Sequence, residues 1–235
     1  MPDGRLVTVY ANKQCIVMND KLVKIGKTYL LRTIPLGVVC MSDNEIAVTL
    51  DNKTVCVLVV DRDCVIREKR TFSTVVQYGS LRKLDAGTLV GFTRDIPEHA
   101  RKFTMDGREE DFTTLTKRDY TSMCKYECMC LYIPSRNTFL TRDTENDEQL
   151  QIHDTDMGSS KPVQFDNKIT ALCQGPEDSV IVVCDKEVVQ MTTNGVILWK
   201  CSGSGYEGSM VCIDKNFRKV ATAGFSDINL CKFTI

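Results

Sequence analysis

The sequence predicts an all-β protein of the propeller type, built from six small antiparallel sheets of four strands each. One observation is a short apolar strand that follows a turn-forming Asp, Asn or Gly and returns six times along the chain. Its central residues lie 40, 43, 50, 41 and 40 positions apart, and a period near 40 is typical of a four-stranded blade. A second observation is that segments such as 55–60 and 180–183 are apolar at consecutive positions, which indicates cover on both faces of the sheet. The six central residues are Leu6, Ile46, Leu89, Phe139, Val180 and Val220.

Each repeat is expected to contain an inner strand, the marker strand, a third strand after a short polar loop, and a more polar outer strand. Charge on the outer strand is expected because it protects the exposed edge of a blade from pairing with other chains. Inner strands are predicted at 37–41, 79–84, 126–133, 169–173 and 208–213. Third strands are predicted at 14–19, 54–60, 100–105, 149–153, 187–191 and 228–233, and outer strands at 64–70 and 196–199.

The two ends of the chain carry incomplete repeats. The first begins at its marker strand, and the last stops after its third strand. We therefore expect one propeller domain over residues 1–235, with a terminal blade that is incomplete, as in a fragment of a longer multidomain protein. A β-sandwich is the alternative, since its strand spacing is similar, but a sandwich does not require a 40-residue recurrence.

Composition narrows the functional classes. The 235 residues are 43% hydrophobic and 26% charged with a net charge of −1, so no overall field attracts polyanions. No apolar run is long enough to cross a bilayer, which predicts no membrane association. Most of the 12 cysteines stand inside apolar strands, where thiols act as small buried hydrophobes. The chain is therefore expected to be cytoplasmic with reduced cysteines.

Three cysteines form the densest thiol group, Cys124, Cys128 and Cys130. A metal site is conceivable there if His99 or His153 came near, but structural zinc sites usually show tighter paired spacing. The two histidines are the only imidazoles that could activate a nucleophile. We place His153 on a third strand and His99 in a loop, so packing and solvation are favoured over catalysis.

Two acidic groups, within 106–111 and 143–148, could suggest calcium binding or hydrolysis. Calcium needs several oxygen ligands that converge on one point, whereas we place both groups in loops at blade edges. The sequence therefore predicts a protein that is not an enzyme and that has no metal and no cofactor.

Segments 3–9, 37–49, 175–184 and 188–195 resemble the NHL-like propeller at the C-terminus of tripartite-motif proteins. The likeness extends over nearly all of the chain and implies a six-bladed recognition module. Members of that family carry a RING, a B-box and a coiled coil before the propeller. This sequence has neither paired Cys-x-x-Cys motifs nor a sustained heptad, so ligase chemistry is not expected here, and oligomerisation would require an upstream coiled coil.

The expected function is that of a non-enzymatic interaction module that presents one loop rim to a protein partner. Joined to an upstream tripartite motif, it would select substrates for ubiquitination. Antiparallel alternation puts the loops after marker strands and before inner strands on one rim. The candidate partner-binding residues on that rim are Arg32, Arg94, Arg118, Arg142, Tyr206 and Phe225.

Two alternatives stay open. Some NHL propellers bind single-stranded RNA, but on this rim acidic residues balance the basic ones, and a phosphate-tracking groove needs uncompensated charge. Lactonase-like propellers with a central calcium ion are the other alternative. The single tryptophan, Trp199, lies in an outer strand, and we expect it to anchor the interface between blades rather than to bind a partner.

Overall fold

A computed structural model describes residues 1, 4–85, 87–93, 100–111, 130–143, 146–154, 157–202, 210–213, 219–223 and 228–232. These residues form antiparallel sheets and two short 3-10 turns, Pro134–Arg136 and Pro176–Asp178. The chain divides into two compact units, Met1–Phe112 and Thr113–Ile235. In the described ranges no helix has the length and apolar character needed to cross a bilayer.

The first unit contains three sheets whose strands follow one another in chain order. The first sheet has three strands: β1 (Leu6–Tyr10), β2 (Gln14–Met18) and β3 (Lys24–Leu30). The second has four: β4 (Pro35–Cys40), β5 (Glu45–Leu50), β6 (Thr54–Val60) and β7 (Ile66–Ser73). The third also has four: β8 (Tyr78–Lys83), β9 (Thr88–Thr93), β10 (Ala100–Thr104) and β11 (Glu109–Asp111).

The second unit repeats this arrangement with the short sheet at its end. Its first sheet contains β12 (Cys130–Ile133), β13 (Thr138–Arg142), β14 (Gln149–Asp154) and β15 (Ser159–Gln164). Its second contains β16 (Ile169–Gln174), β17 (Val180–Cys184), β18 (Glu187–Met191) and β19 (Ile197–Ser202). Its third has three strands: β20 (Met210–Ile213), β21 (Lys219–Ala223) and β22 (Ile228–Lys232).

The middle strands of the sheets are buried on both faces. In β6, Val55 and Val57 are inaccessible, and so is Leu58 on the opposite face. Leu58 packs in one core cluster with residues of β2 and β5, whereas Val55 belongs to a second cluster with Tyr78 and Phe103. A strand with apolar side chains toward both sides must lie between two packed layers, as strands of stacked blades do. The all-β prediction is therefore confirmed.

The prediction of six four-stranded blades is wrong. The corrected description is a β-propeller fold with five blades of four antiparallel strands. Four of the sheets in the described ranges have four strands, and the first and last sheets have three each. The reason for the error is that the 40-residue recurrence counts marker strands, and all six marker residues do lie in strands. A marker strand shows that a sheet is present but not that the sheet is a complete blade.

The weakest strand predictions concern the outer strands. An outer strand was expected in each repeat, but the positions of β3 and β15 were not predicted, because their side chains are mostly exposed and have no apolar pattern. Strand β11 corrects the prediction that the acidic group 106–111 lies in a blade-edge loop, since Glu109–Asp111 pairs with β10. The Glu109 carboxylate accepts hydrogen bonds from the Tyr78 hydroxyl at 2.7 Å and the Val75 amide at 2.6 Å. Glu109 therefore stabilises its own sheet.

Tyr78 crosses the face of this sheet because Gly91 has no side chain. A Cβ on Gly91 would come within 2.3 Å of the Tyr78 ring. The ring instead lies over Gly91 and packs on Phe103, with ring centroids 4.9 Å apart. A glycine inside a strand often marks such a site of close approach to the backbone.

Candidate functional site

A cleft of about 240 Å³ opens in the first unit, between strand β3 of the first sheet and strand β7 of the second. We call it the Arg32 cleft. Its residues come from β3 and the segment after it, from the ends of β5 and β6 around their tight turn, and from β7. The lining residues are Tyr29, Leu31, Arg32, Leu50, Asn52, Thr54, Cys56, Glu68, Thr71, Phe72 and Ser73.

A β-bulge in β7 gives the cleft its polar wall. Along the β6–β7 pairing, Cys56 lies opposite Thr71 and Leu58 lies opposite Glu68, so that Lys69 is left over as an extra residue. In a regular strand, residues three apart point to opposite faces. The extra residue puts Glu68 and Thr71 on the same face, and the Thr71 hydroxyl donates a 3.0 Å hydrogen bond to Glu68 Oε1.

Glu68 is the centre of the polar network. Arg32 Nη2 lies 3.2 Å from Glu68 Oε1, and the Tyr29 hydroxyl lies 3.4 Å from Oε2. Burial, followed by the neighbouring Cys56 and Glu68, raises the pKa of the Tyr29 hydroxyl, which keeps it a hydrogen-bond donor. Glu68 thus accepts three hydrogen bonds, and its side chain is 26% exposed compared with 75% for Arg32.

The floor of the cleft is apolar. Leu31, Leu50 and Cys56 are buried there in one core cluster, whereas Phe72 packs in the cluster on the other face of the sheet, against Phe103. Burial raises the pKa of the Cys56 thiol, although its hydrogen bond with Thr71 acts in the opposite direction. The thiol is therefore protonated and a weak nucleophile at neutral pH. This arrangement suits the binding of a group that is apolar at one end and charged at the other.

The six predicted partner-binding residues have different positions. Arg32 is exposed at the mouth of the cleft. Arg142 ends β13 and is only 4% exposed. Its Nη1 lies 3.0 Å from Asp147 Oδ1 and 3.3 Å from the carbonyl oxygen of Ile169, so little of its surface is open to a partner. The remaining four, Arg94, Arg118, Tyr206 and Phe225, lie outside the described residues.

Arg142 and Lys168 share one carboxylate in the second unit. Asp147 Oδ2 lies 3.3 Å from Lys168 Nζ, in addition to the contact of Asp147 with Arg142. Two cations against one carboxylate leave this group with one positive charge in excess. The full cancellation of charge expected for this rim is therefore not found in this group, although Arg142 itself is buried.

His153 is a packed residue of β14. It is 7% exposed, with Nδ1 2.7 Å from the Ser160 hydroxyl and Nε2 3.2 Å from the Thr141 hydroxyl. His99, Cys124 and Cys128 lie outside the described residues. Within the ranges that are described, no group of three His, Cys, Asp or Glu side chains is placed to hold a metal ion.

Trp199 lies in β19 and packs against the core cluster of Ala171, Ile181, Val183 and Val188. All four residues belong to the same sheet as Trp199, so this contact lies within one sheet, and the expected role at the interface between blades stays a prediction. Sequence reasoning found Arg32 but missed its partner Glu68 and the two residues that donate to Glu68, Tyr29 and Thr71. A charged outer strand was predicted at 64–70, but the bulge that turns Glu68 and Thr71 to one face has no signature in the sequence.

The comparisons with known proteins agree with the fold. No family model matches the sequence, and no curated protein matches it. Among solved structures, the chain is similar to a functionally unknown protein from Desulfotomaculum acetoxidans DSM 771, with a TM-score of 0.63 and 11% identity over 97% of this chain and 74% of that chain. It is also similar to the β-propeller domain of Cps50 (Swd1) from Myceliophteria thermophila, with a TM-score of 0.64 and 9% identity over 98% of this chain and 80% of that chain. At such low identity these similarities show the β-propeller fold alone.

Proposed function

We propose that this chain is a non-enzymatic interaction module that binds a protein partner at the Arg32 cleft. A propeller fold is commonly an interaction scaffold, which supports the general role. The single observation that carries the choice of site is an arginine at the mouth of an apolar-floored cleft, where a hydrogen-bonded carboxylate fixes its position. Arginine and buried apolar pockets are enriched where binding energy concentrates in protein interfaces.

A protein partner is favoured over single-stranded RNA at this site. Single-stranded RNA is bound by a row of uncompensated cations along its backbone together with stacked aromatic side chains, whereas the cleft offers one arginine, Arg32, with Glu68 3.2 Å away. The chemistry of the lining residues also supports a binding role over catalysis, because the Cys56 thiol is protonated and no histidine lines the cleft.

The resemblance to tripartite-motif proteins supports a finer version of this proposal. If a ligase portion is joined upstream, the propeller would select the cytoplasmic protein that is to be ubiquitinated. Without such a portion, it would bind or compete for the same partner.

The test is crosslinked capture from cytosol, with quantitation of both crosslinked peptides and RNA. We compare the wild type with Arg32→Ala and with Arg67→Ala as the matched control. Arg67 is an equally exposed arginine, at 74%, on the same strand as Glu68, and it does not line the cleft. We expect Arg32→Ala to lower recovery of the same crosslinked protein about tenfold or more, as the loss of a charged contact predicts, and Arg67→Ala to leave it unchanged.

Equal recovery with both variants would overturn the proposed site. Recovery of RNA in place of protein, with retention that falls steeply as salt rises, would overturn the proposed partner class.

A further inference from the structure

The lining of the Arg32 cleft is apolar at depth and charged at the mouth. The buried zone holds Leu31, Leu50 and the Cys56 thiol, which are 5%, 3% and 3% exposed. The zone at the mouth holds the Arg32 guanidinium and the Glu68 carboxylate. A bound group must therefore place an apolar part inward and a polar part outward.

The size of the cleft limits the bound group to about one amino-acid residue. Pockets for drug-sized ligands and cofactors have volumes of about 300–1,000 Å³, and this cleft has about 240 Å³. The same volume corresponds to roughly eight water molecules at about 30 Å³ each. A cofactor is too large for such a space, whereas an aliphatic side chain with its own backbone atoms fits it.

The exposed hydrogen-bond donors at the mouth favour an anion over a cation. A guanidinium has five N–H donors, and Arg32 uses Nη2 toward Glu68 while its side chain stays 75% exposed. Glu68 already accepts from Tyr29, Arg32 and Thr71 and is only 26% exposed. A cationic ligand would have to compete with these donors, whereas an anion can reach the exposed part of the guanidinium. Because Glu68 is close, a single negative charge is tolerated better than the double charge of a phosphate monoester.

We propose that the Arg32 cleft binds the C-terminal residue of a partner polypeptide. The apolar side chain of that residue lies on Leu31, Leu50 and Cys56, and its terminal carboxylate accepts hydrogen bonds from Arg32. A C-terminal residue is the protein group that carries an apolar side chain and a carboxylate on the same Cα. An internal Asp or Glu offers the carboxylate without the apolar group. This inference rests on the proposed function and specifies which part of the protein partner is recognised.

The test uses hexapeptides of sequence Gly-Ser-Gly-Ser-Gly-X, with each of the 20 amino acids at X, synthesised both as the free acid and as the C-terminal amide. Binding of the labelled full chain to arrays of equal peptide density is measured for wild type, Arg32→Ala, Glu68→Gln and Arg67→Ala. A third set has an internal Asp and an amidated terminus, which separates a side-chain carboxylate from a terminal one.

We expect peptides with Leu, Ile, Val, Met or Phe at X to bind best and only as free acids, with amides at least about tenfold weaker, the ratio expected for losing a charged hydrogen bond. Arg32→Ala should abolish the difference between acid and amide, and Arg67→Ala should keep it. Glu68→Gln should strengthen binding of the acids by a few-fold, because it removes the neighbouring negative charge.

Equal binding of acids and amides, no preference at X, no binding to any peptide, or better binding of the internal-Asp set would each overturn the inference. Crosslinked capture distinguishes the two proposals. If capture depends on Arg32 while the arrays show no acid preference, the proposed function stands and the C-terminal inference fails. If capture does not depend on Arg32, both fail.

Discussion

The sheet β4–β7 in the first unit and the sheet β16–β19 in the second have the same construction but different outer strands. In both, the second and third strands are almost entirely buried. In both, a bulge interrupts the pairing of the outer strand and leaves one extra residue, Lys69 in β7 and Leu198 in β19. The second and third strands therefore meet the same packing requirement in both sheets. The two sheets differ in their outer strands.

The difference at the outer strands is chemical. Strand β7 has the charged run Arg67, Glu68, Lys69 and Arg70 and forms one wall of the Arg32 cleft. Strand β19 instead exposes Ile197 and Leu198 and has Trp199 packed on the sheet. Charge protects the edge of β7 from pairing with other strands. The comparison indicates that the same bulged backbone can build either a polar wall or an apolar surface.

The largest expected contrast between the buried second and third strands and the outer strands is in the reactivity of their cysteine thiols. Burial, and next the Glu187 carboxylate, raise the pKa of Cys184 in β17 from 9.0 to about 12. At pH 8, the thiolate fraction of Cys184 is therefore roughly a thousandfold below that of an ordinary thiol, and thiolate is the reactive form. We expect iodoacetamide to modify Cys184 about a thousandfold more slowly in the native protein than in urea, as followed by peptide mass spectrometry.

Cys201 in β19 is the internal control, since it is half-buried on the outer strand. It should be modified readily in the native protein. If Cys184 in the native protein reacts as fast as Cys201, then strand β17 opens more freely than its burial implies.

The next contrast is in stability. Leu58 in β6 is inaccessible, whereas Leu198 in β19 is 55% exposed. Replacing a buried leucine by alanine removes its packing and leaves a cavity, which costs about 2–5 kcal/mol. An exposed leucine away from such features changes stability by less than about 0.5 kcal/mol. We expect urea unfolding to show this difference between Leu58→Ala and Leu198→Ala. Similar losses of unfolding free energy in the two variants would contradict the assignment of β6 as a buried strand and of β19 as an exposed one.

These contrasts also explain how much the sequence could predict. The marker and third strands, such as β5, β6, β17 and β18, were located to within two residues, because burial on both faces requires continuous Val, Ile and Leu. The outer strands β3 and β15 had no such requirement, so they were expected but could not be located. The sequence shows incomplete repeats at both ends, and the first and last sheets have three strands each. The number of complete blades could not be predicted, because a repeat unit is recognised by its marker strand and not by its edge.

The candidate site was predictable only in part, for a related reason. Arg32 was expected on a loop rim from strand alternation alone. Its partner Glu68 shares a face with Thr71 only because of the extra residue Lys69, and a one-residue insertion reverses the side-chain pattern that follows it. Tyr29 belongs to the neighbouring sheet, and the packing of one sheet on another depends on contacts that no local pattern specifies.

The smallest contrast is between two ion pairs. One joins Arg32 to Glu68 of β7, and the other joins Lys200 of β19 to Glu187 of β18. In β18 the Glu187 side chain is only 8% exposed, with Oε2 3.6 Å from Lys200 Nζ, and its Oε1 has no hydrogen-bond partner in the described part of the chain. Lys200→Met would leave a buried carboxylate without this cation, at a cost of about 1–3 kcal/mol. Arg32→Met removes an exposed pair and should cost less than about 1 kcal/mol. Urea unfolding of both variants in parallel measures the difference. A larger loss with Arg32→Met would show that Arg32 is a structural residue of the β3–β7 contact, and its exposure would then no longer favour partner binding.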